Sequence, residues 1–225
     1  MSALTQGWVW LTASQQWRGQ GDIPAQILAH LYYSGASFLV AVLIAVPSGI
    51  LIGHTGRGAL LVINLANAWR SIPTLGLVAL AAIELRFSAL AWLIPLAVLA
   101  IPPILVNTYE GVAGVDPELK DASRGMGMTR WQQVFQVEVP VALPLLMLGL
   151  RTGAITVVAT ATVAAYIGLG GLGRFIFDGL ATNNYGEVAG GGALVVLLAL
   201  AVQAAFVGLR RLIVPAGLRS QARVR

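Results

Sequence analysis

An all-α integral membrane protein with five spanning helices is the architecture predicted for this chain. Three observations predict it. Of 225 residues, 57% are hydrophobic and only 10% are charged. The mean hydropathy is +0.80. The few charges lie between long uncharged runs instead of being spread along the chain, which is the pattern of a membrane protein. Cysteine is absent, so disulfides, thiolate metal sites and thiol nucleophiles are excluded. The formal charge of +5 does not form a stripe interleaved with aromatics, so nucleic acid is not an expected partner.

Residues 1–26 are expected to form an external N-terminal segment. They lack the basic stretch followed by an apolar core that marks a cleavable signal, so the first spanning helix is expected to direct insertion. A helix crossing the hydrocarbon needs about 20 predominantly apolar residues, and five stretches qualify. The first, 27–53, has His30 as its single acid, base or histidine. The second, 58–83, is interrupted by Arg70-Ser71-Ile72-Pro73. The third, 87–109, carries no charge, and the fourth, 142–167, carries only Arg151. The fifth, 188–209, begins near three successive glycines, Gly190 to Gly192, suited to close helix contact. Residues 211–225 form a basic tail.

Five spans place the termini on opposite sides of the bilayer, and the distribution of Lys and Arg gives the direction. With the C-terminus cytoplasmic, the inner segments hold Arg57, Lys120, Arg124, Arg130, Arg210, Arg211, Arg219, Arg223 and Arg225, while the outer segments hold Arg18, Arg86 and Arg174. Nine against three predicts a multi-pass protein of a bacterial cytoplasmic membrane, N-terminus outside and C-terminus inside. Segment 110–141 then becomes the longest cytoplasmic loop.

That loop has strong local signals. Asp116 is placed to cap a helix, Pro117 occupies its first position, and Glu118 suits the positive end of the helix dipole. Leu119, Ala122, Ser123 and Met126 recur at helical spacing and form one mostly apolar face. Gly125 and Gly127 permit a left-handed exit. Thr129 and Gln132 have the spacing of a capping box, Trp131, Val134 and Phe135 give a second helix an apolar edge, and Pro140 is expected to stop it. An amphipathic hairpin lying on lipid is the plainer explanation. Surface-bound helices favour basic polar faces, however, and 110–141 holds five acids (Glu110, Asp116, Glu118, Asp121, Glu138) against three bases (Lys120, Arg124, Arg130). A protein partner fits this balance better than anionic lipid.

At these residues the chain resembles the membrane subunits of bacterial ABC importers. Their cytoplasmic signature reads E-A-A, three residues, G, nine residues, I-x-L-P. Here Asp121-Ala122-Ser123 is followed after three residues by Gly127, and after nine more by Val137-Glu138-Val139-Pro140. The spacing is kept and the chemistry departs conservatively at Asp121, Ser123, Val137 and Val139. The resemblance implies a type I ABC importer permease fold over 27–210 with a methionine-permease-like arrangement. It makes the loop a coupling helix, with Glu118, Asp121, Ala122, Ser123, Gly125, Gly127, Thr129 and Pro140 as contacts to an ATP-hydrolysing subunit. "VNTYEGVAGVDPEL" and "ATATVAAYIGLGGLGRFIFDGL" narrow it to permeases for glycine betaine, choline, carnitine and related osmoprotectants. Methionine and other amino-acid permeases, which share the fold and a similar "RSIP", are the alternative. The implied partners are a dimer of ATP-binding subunits that binds ATP and Mg, a second permease subunit (identical or paralogous), an external substrate-binding protein and the lipid bilayer. No cofactor is expected in this chain, which has no G-x-x-x-x-G-K-[ST] pattern.

Other residues have competing explanations. Arg70 lies about 18 Å into the second span at 1.5 Å per residue, where a charge usually faces a cavity or partner. Together with Pro73 and Tyr166 it is a candidate for the translocation pathway or gate, against simple snorkelling. Arg151 stands nearer the cytoplasmic boundary, where snorkelling is the better account. Trp69, Trp92, Tyr166, Phe175 and Phe177 suggest a cation–π cage for a quaternary ammonium ion, but interfacial belts explain such aromatics too. Gly168 to Gly173 mimics a dinucleotide fingerprint, yet it follows a membrane span, not a strand. A flexible external turn where the binding protein docks, at Gly168, Gly170, Gly171 and Gly173, is expected instead. An intramembrane enzyme or a channel is the rival class. His30 and His54 stand without H-E-x-x-H, and no serine-nucleophile motif is present, so neither catalytic nor metal residues are expected.

Overall fold

The computed structural model describes residues 2–215 apart from 20, 61, 63, 65–67, 69, 70, 87, 89 and 169. Among the described residues every regular element is helical: α1 (Ala3–Thr12), a 3-10 turn (Ser14–Trp17), α2 (Ile23–Thr55), α3 (Thr74–Glu84), α4 (Leu90–Ala113), α5 (Pro117–Gly125), α6 (Arg130–Gln132), a π turn (Gln133–Glu138), α7 (Val139–Ala164), a 3-10 turn (Ala165–Ile167), α8 (Gly173–Ala181) and α9 (Tyr185–Ile213). Four helical stretches are long and apolar enough to cross a membrane: Ile23–Thr55, Leu90–Ala113, Arg130–Ile167 and Tyr185–Ile213. These correspond to the first, third, fourth and fifth expected spans, each somewhat longer than the hydrophobic run alone. In the second, 58–83, the described residues break at Ser71 and Ile72, and Pro73 is the cap of α3, an apolar helix of 11 residues. Arg70 and Trp69 lie outside the described residues.

The chain divides into two compact units. The first comprises Met1–Leu39, Ile72–Val98 and Ala154–Val202. Its core gathers Ile23, Leu172, Phe175 and Leu194, with Trp10, Leu11, Ile27, Val195 and Leu198 packed against it. The N-terminal segment is therefore not merely a lead-in. Ser2 accepts the Thr5 N–H at 3.3 Å to open α1. Trp10 meets Phe175 edge to face, centroids 5.0 Å apart, and lies where a side chain at Gly190 would have to go. Gly191 is likewise closed off by Phe175, whereas Gly192 faces open space. Two of the three glycines thus serve the close contact expected of them.

The second unit comprises Val40–Ser71, Leu99–Gly153 and Gln203–Arg225, with α4 at its centre. Ala100, Ile104, Thr108 and Val112, one stripe of that helix, are fully buried. Gly49 and Gly53 of α2 approach it from one side. A Cβ on Gly49 would stand 2.7 Å from the Thr108 Cβ, and one on Gly53 2.7 Å from the Val112 Cβ. Gly149 and Gly153 of α7 approach Asn107 and Ile104 equally closely. Two glycine pairs at four-residue spacing thus let backbones meet, the device by which membrane helices gain packing without a hydrophobic driving force.

The helix that carries the fourth span begins well before Ala142, and the helix preceding it does not stop at Pro140. From Arg130 the chain is continuously helical through the π turn into α7. Proline cannot donate a backbone bond and crowds the preceding turn. The wider π turn, closed by the Val139 N–H on the Val134 carbonyl, ends at Glu138, two residues before Pro140, and accommodates the ring without ending the helix.

Candidate functional site

The described part of the loop is assembled from three local devices. Asp116 accepts the Glu118 N–H at 2.9 Å and starts α5. The helix ends in a paired turn: the Gly127 N–H bonds the Arg124 carbonyl at 2.9 Å and the Met128 N–H reaches the Ser123 carbonyl at 3.2 Å. This closure needs a left-handed residue between them, and Gly127 has φ +78°. Thr129 then caps α6 reciprocally with Gln132, whose Oε1 accepts the Thr129 N–H at 2.8 Å.

Outward, this hairpin presents an apolar surface. Leu119 (41% exposed), Met126 (70%), Trp131 (73%) and Phe135 (58%) all stand open, with the Trp131 and Phe135 rings stacked 5.9 Å apart. Of the expected contact residues, Glu118, Ala122, Gly125, Gly127 and Thr129 are exposed, as is Asp121, which accepts from Arg124 at 2.9 Å. Ser123 differs: it is buried, and its hydroxyl donates to the Lys120 carbonyl at 2.7 Å. Pro140 is half-buried inside the helical run. A cleft of about 500 Å³ beside the hairpin is lined by His54, Thr55, Arg57, Arg124, Arg130 and Gln133, so basic groups border the apolar surface.

Inward lies a cluster missing from the sequence-based list. Glu138 is 2% exposed. The His54 Nδ1–H donates to its Oε2 at 2.8 Å, because a carboxylate only accepts. Lys120 Nζ stands 4.0 Å from Oε1 and donates to the Val112 carbonyl at 3.1 Å. His54 is therefore not solitary, although no group of three or more metal-ligating residues occurs among the described residues. Removing one partner from a buried ion pair leaves a charge uncompensated, at a cost of about 3–5 kcal/mol.

The glycine turn after α7 is hydrogen-bonded to α2. Gln26 Oε1 accepts the Gly171 N–H at 2.6 Å, and His30 Nδ1 accepts the Leu172 N–H at 3.3 Å. Both anchoring side chains are buried. Gly173 opens α8 directly against Thr162 and Ala165, and Gly168 alone of the four docking candidates has no neighbour within 4 Å of a would-be Cβ. The described aromatic candidates do not meet one another except at Tyr166 and Phe177, whose centroids are 5.2 Å apart. Phe175 meets Trp10, and Trp92 joins Tyr33 at 4.8 Å and Tyr32 at 5.9 Å in a cluster of three rings. Pro73 is exposed at the start of α3. Arg151 is half-buried, and its Nε has no hydrogen-bond partner among the described residues.

This loop, inserted among long apolar helices, matches a known family. The model of the binding-protein-dependent transport system inner membrane component covers residues 41–217. The chain belongs to that family. Among its relatives is the carnitine transport permease protein OpuCB of Listeria monocytogenes, 39% identical over 198 residues, 88% of this chain and 91% of the relative. The glycine betaine/carnitine/choline transport system permease protein OpuCB of Bacillus subtilis is 34% identical over 204 residues, 91% of this chain and 94% of the relative. In three dimensions the chain is similar to the inward-facing MetNI methionine ABC transporter, with a TM-score of 0.75 and 26% identity over 86% of this chain and 96% of that one. The expected type I importer fold is thus found, in a multi-pass membrane protein of a transport family.

Proposed function

We propose that this inner membrane component is the permease subunit of an ATP-driven importer for quaternary ammonium osmoprotectants such as glycine betaine, carnitine or choline. The observation that carries the substrate class is the similarity along nearly the whole chain to permeases named for those solutes. The methionine transporter is a neighbour in fold at lower identity. ATP and Mg belong to a partner dimer, since this chain has no phosphate-binding glycine loop of its own.

In this reading the N-terminus is outside and the hairpin 117–135 faces the cytoplasm, where its exposed Leu119, Met126, Trp131 and Phe135 seat in the ATP-hydrolysing subunit. A second permease subunit completes the pathway, and an external binding protein delivers the solute near the turn 168–173. The second span completes the count of five. The test is uptake by cells dependent on this system and its partner subunits under osmotic stress. Radiolabelled glycine betaine, carnitine or choline should accumulate. Accumulation of methionine, with no response to any of the three, would replace the proposed substrate class.

A further inference from the structure

Four elements converge on one buried carboxylate in the second unit, and only one of them belongs to the outward surface of the loop. His54 lies in the last turn of α2, Val112 in the last turn of α4, Lys120 in α5, and Glu138 ends the π turn. The last carbonyls of a helix have no partners within it and carry partial negative charge, which cations offset. Lys120 satisfies the Val112 carbonyl in this way at 3.1 Å while standing 4.0 Å from Glu138. Glu138 in turn accepts from His54 at 2.8 Å. The end of α4, the end of α2 and the entrance to α7 are thereby joined through one acid and two bases.

α5 needs such a tether. It is nine residues long and is connected by turns on both sides, at Gly114 and Val115 before Asp116 and at Met126 to Thr129. A helix hinged at both ends absorbs a push by rotating about its turns unless a side chain fixes it from below. Ser123 is buried but its hydroxyl bonds only within its own helix, and Gln133 Nε2 holds the second turn through the Met128 carbonyl at 3.1 Å. The long-range polar link from the body of α5 is Lys120, to Glu138 and Val112.

We propose that Glu138 is a positioning residue for transport: through Lys120 and His54 it fixes α5 to the ends of α2 and α4, so that displacement of α5 moves those helices instead of being lost in the turns. This rests on the coupling reading above, but it makes a separate claim about transmission as opposed to docking.

The experiment uses the complete transporter in proteoliposomes, with its ATP-hydrolysing subunits, its binding protein and radiolabelled glycine betaine. Glu138→Gln, Lys120→Met and His54→Gln are compared for copurified ATPase subunit, ATP hydrolysed and solute taken up. The expected result is normal copurification with uptake per ATP reduced by about 5- to 100-fold, the range of ordinary coupling energies. The exchange of charges, Lys120→Glu with Glu138→Lys, should recover part of the loss. Unchanged uptake per ATP in Glu138→Gln and Lys120→Met overturns the proposal. So does loss of the permease or of the copurified subunit that the exchange does not recover, because the cluster would then serve folding or docking. The coupling reading fails by a different result: Leu119→Ser with Met126→Ser, on the exposed face, retaining both copurification and transport.

Discussion

Gln26 Oε1 accepts the Gly171 N–H at 2.6 Å across 145 positions of sequence. One turn along α2, the His30 ring lies between the Leu172 N–H, 3.3 Å from Nδ1, and the Val158 carbonyl, 3.0 Å from Nε2. Because Nδ1 accepts, Nε2 carries the hydrogen and donates. The first long helix thus holds the turn between α7 and α8 through its backbone amides, and Gly171 fits there because it has φ +83° and a Cβ would stand 3.2 Å from the His30 Nδ1.

Gln26→Leu should leave the Gly171 N–H buried without an acceptor, at a cost of about 1–3 kcal/mol. The expected outcome is a lower thermal unfolding midpoint for the purified subunit in detergent. An unchanged midpoint would mean that water or another acceptor reaches the turn.

Gly173→Ala should be worse. Its Cβ would drive into the Thr162 carbonyl, a backbone atom that cannot rotate away. The subunit should accumulate poorly in the membrane, whereas Gly192→Ala, in open space on α9, should accumulate normally. Immunoblots of membrane fractions compare the two directly.

Gly127→Val tests the closure of α5. A β-branched residue in the left-handed region costs about 1–2 kcal/mol, and the paired bonds from Gly127 and Met128 would loosen. The altered residue lies outside all four long apolar helices, so membrane insertion should be preserved. Copurification of the ATP-hydrolysing subunit, or stimulation of its hydrolysis by loaded binding protein, should fall. A Val variant that assembles and transports normally would reduce Gly127 to a solvated turn.

For sidedness, a reporter active only in the cytoplasm should be active when fused after Arg225 and silent when inserted after Arg18. The opposite pattern would place the hairpin outside and remove it from any ATP-hydrolysing partner.

Much of the hairpin was legible from local spacing. A cap at Asp116, a left-handed glycine at 127 and reciprocal bonding between Thr129 and Gln132 all operate over two to five residues, so residue type at a given offset is enough to specify them. Pro140 misled because the rule that proline stops a helix supposes regular α geometry. The preceding π turn changed which carbonyl the ring had to avoid. The N-terminal helix carried a readable signal in Trp8-Val9-Trp10-Leu11, but its role depended on Gly190 and Phe175, far along the chain.

Residue order alone was enough to show a helical membrane protein, to locate four of its long apolar helices, and to single out one punctuated polar hairpin among them. Those features follow from transfer of apolar side chains out of water and from backbone bonds within a few residues. It took the packing of distant helices to show that Gln26 and His30 secure the glycine turn, and that Glu138 belongs with His54, 84 positions away, and with Lys120. A lone His or Glu in a sequence has no periodicity and no fixed offset from its partner. Its role is set by which helices pack together, and here the glycines that bring α2 and α7 against α4 determine which polar groups can meet.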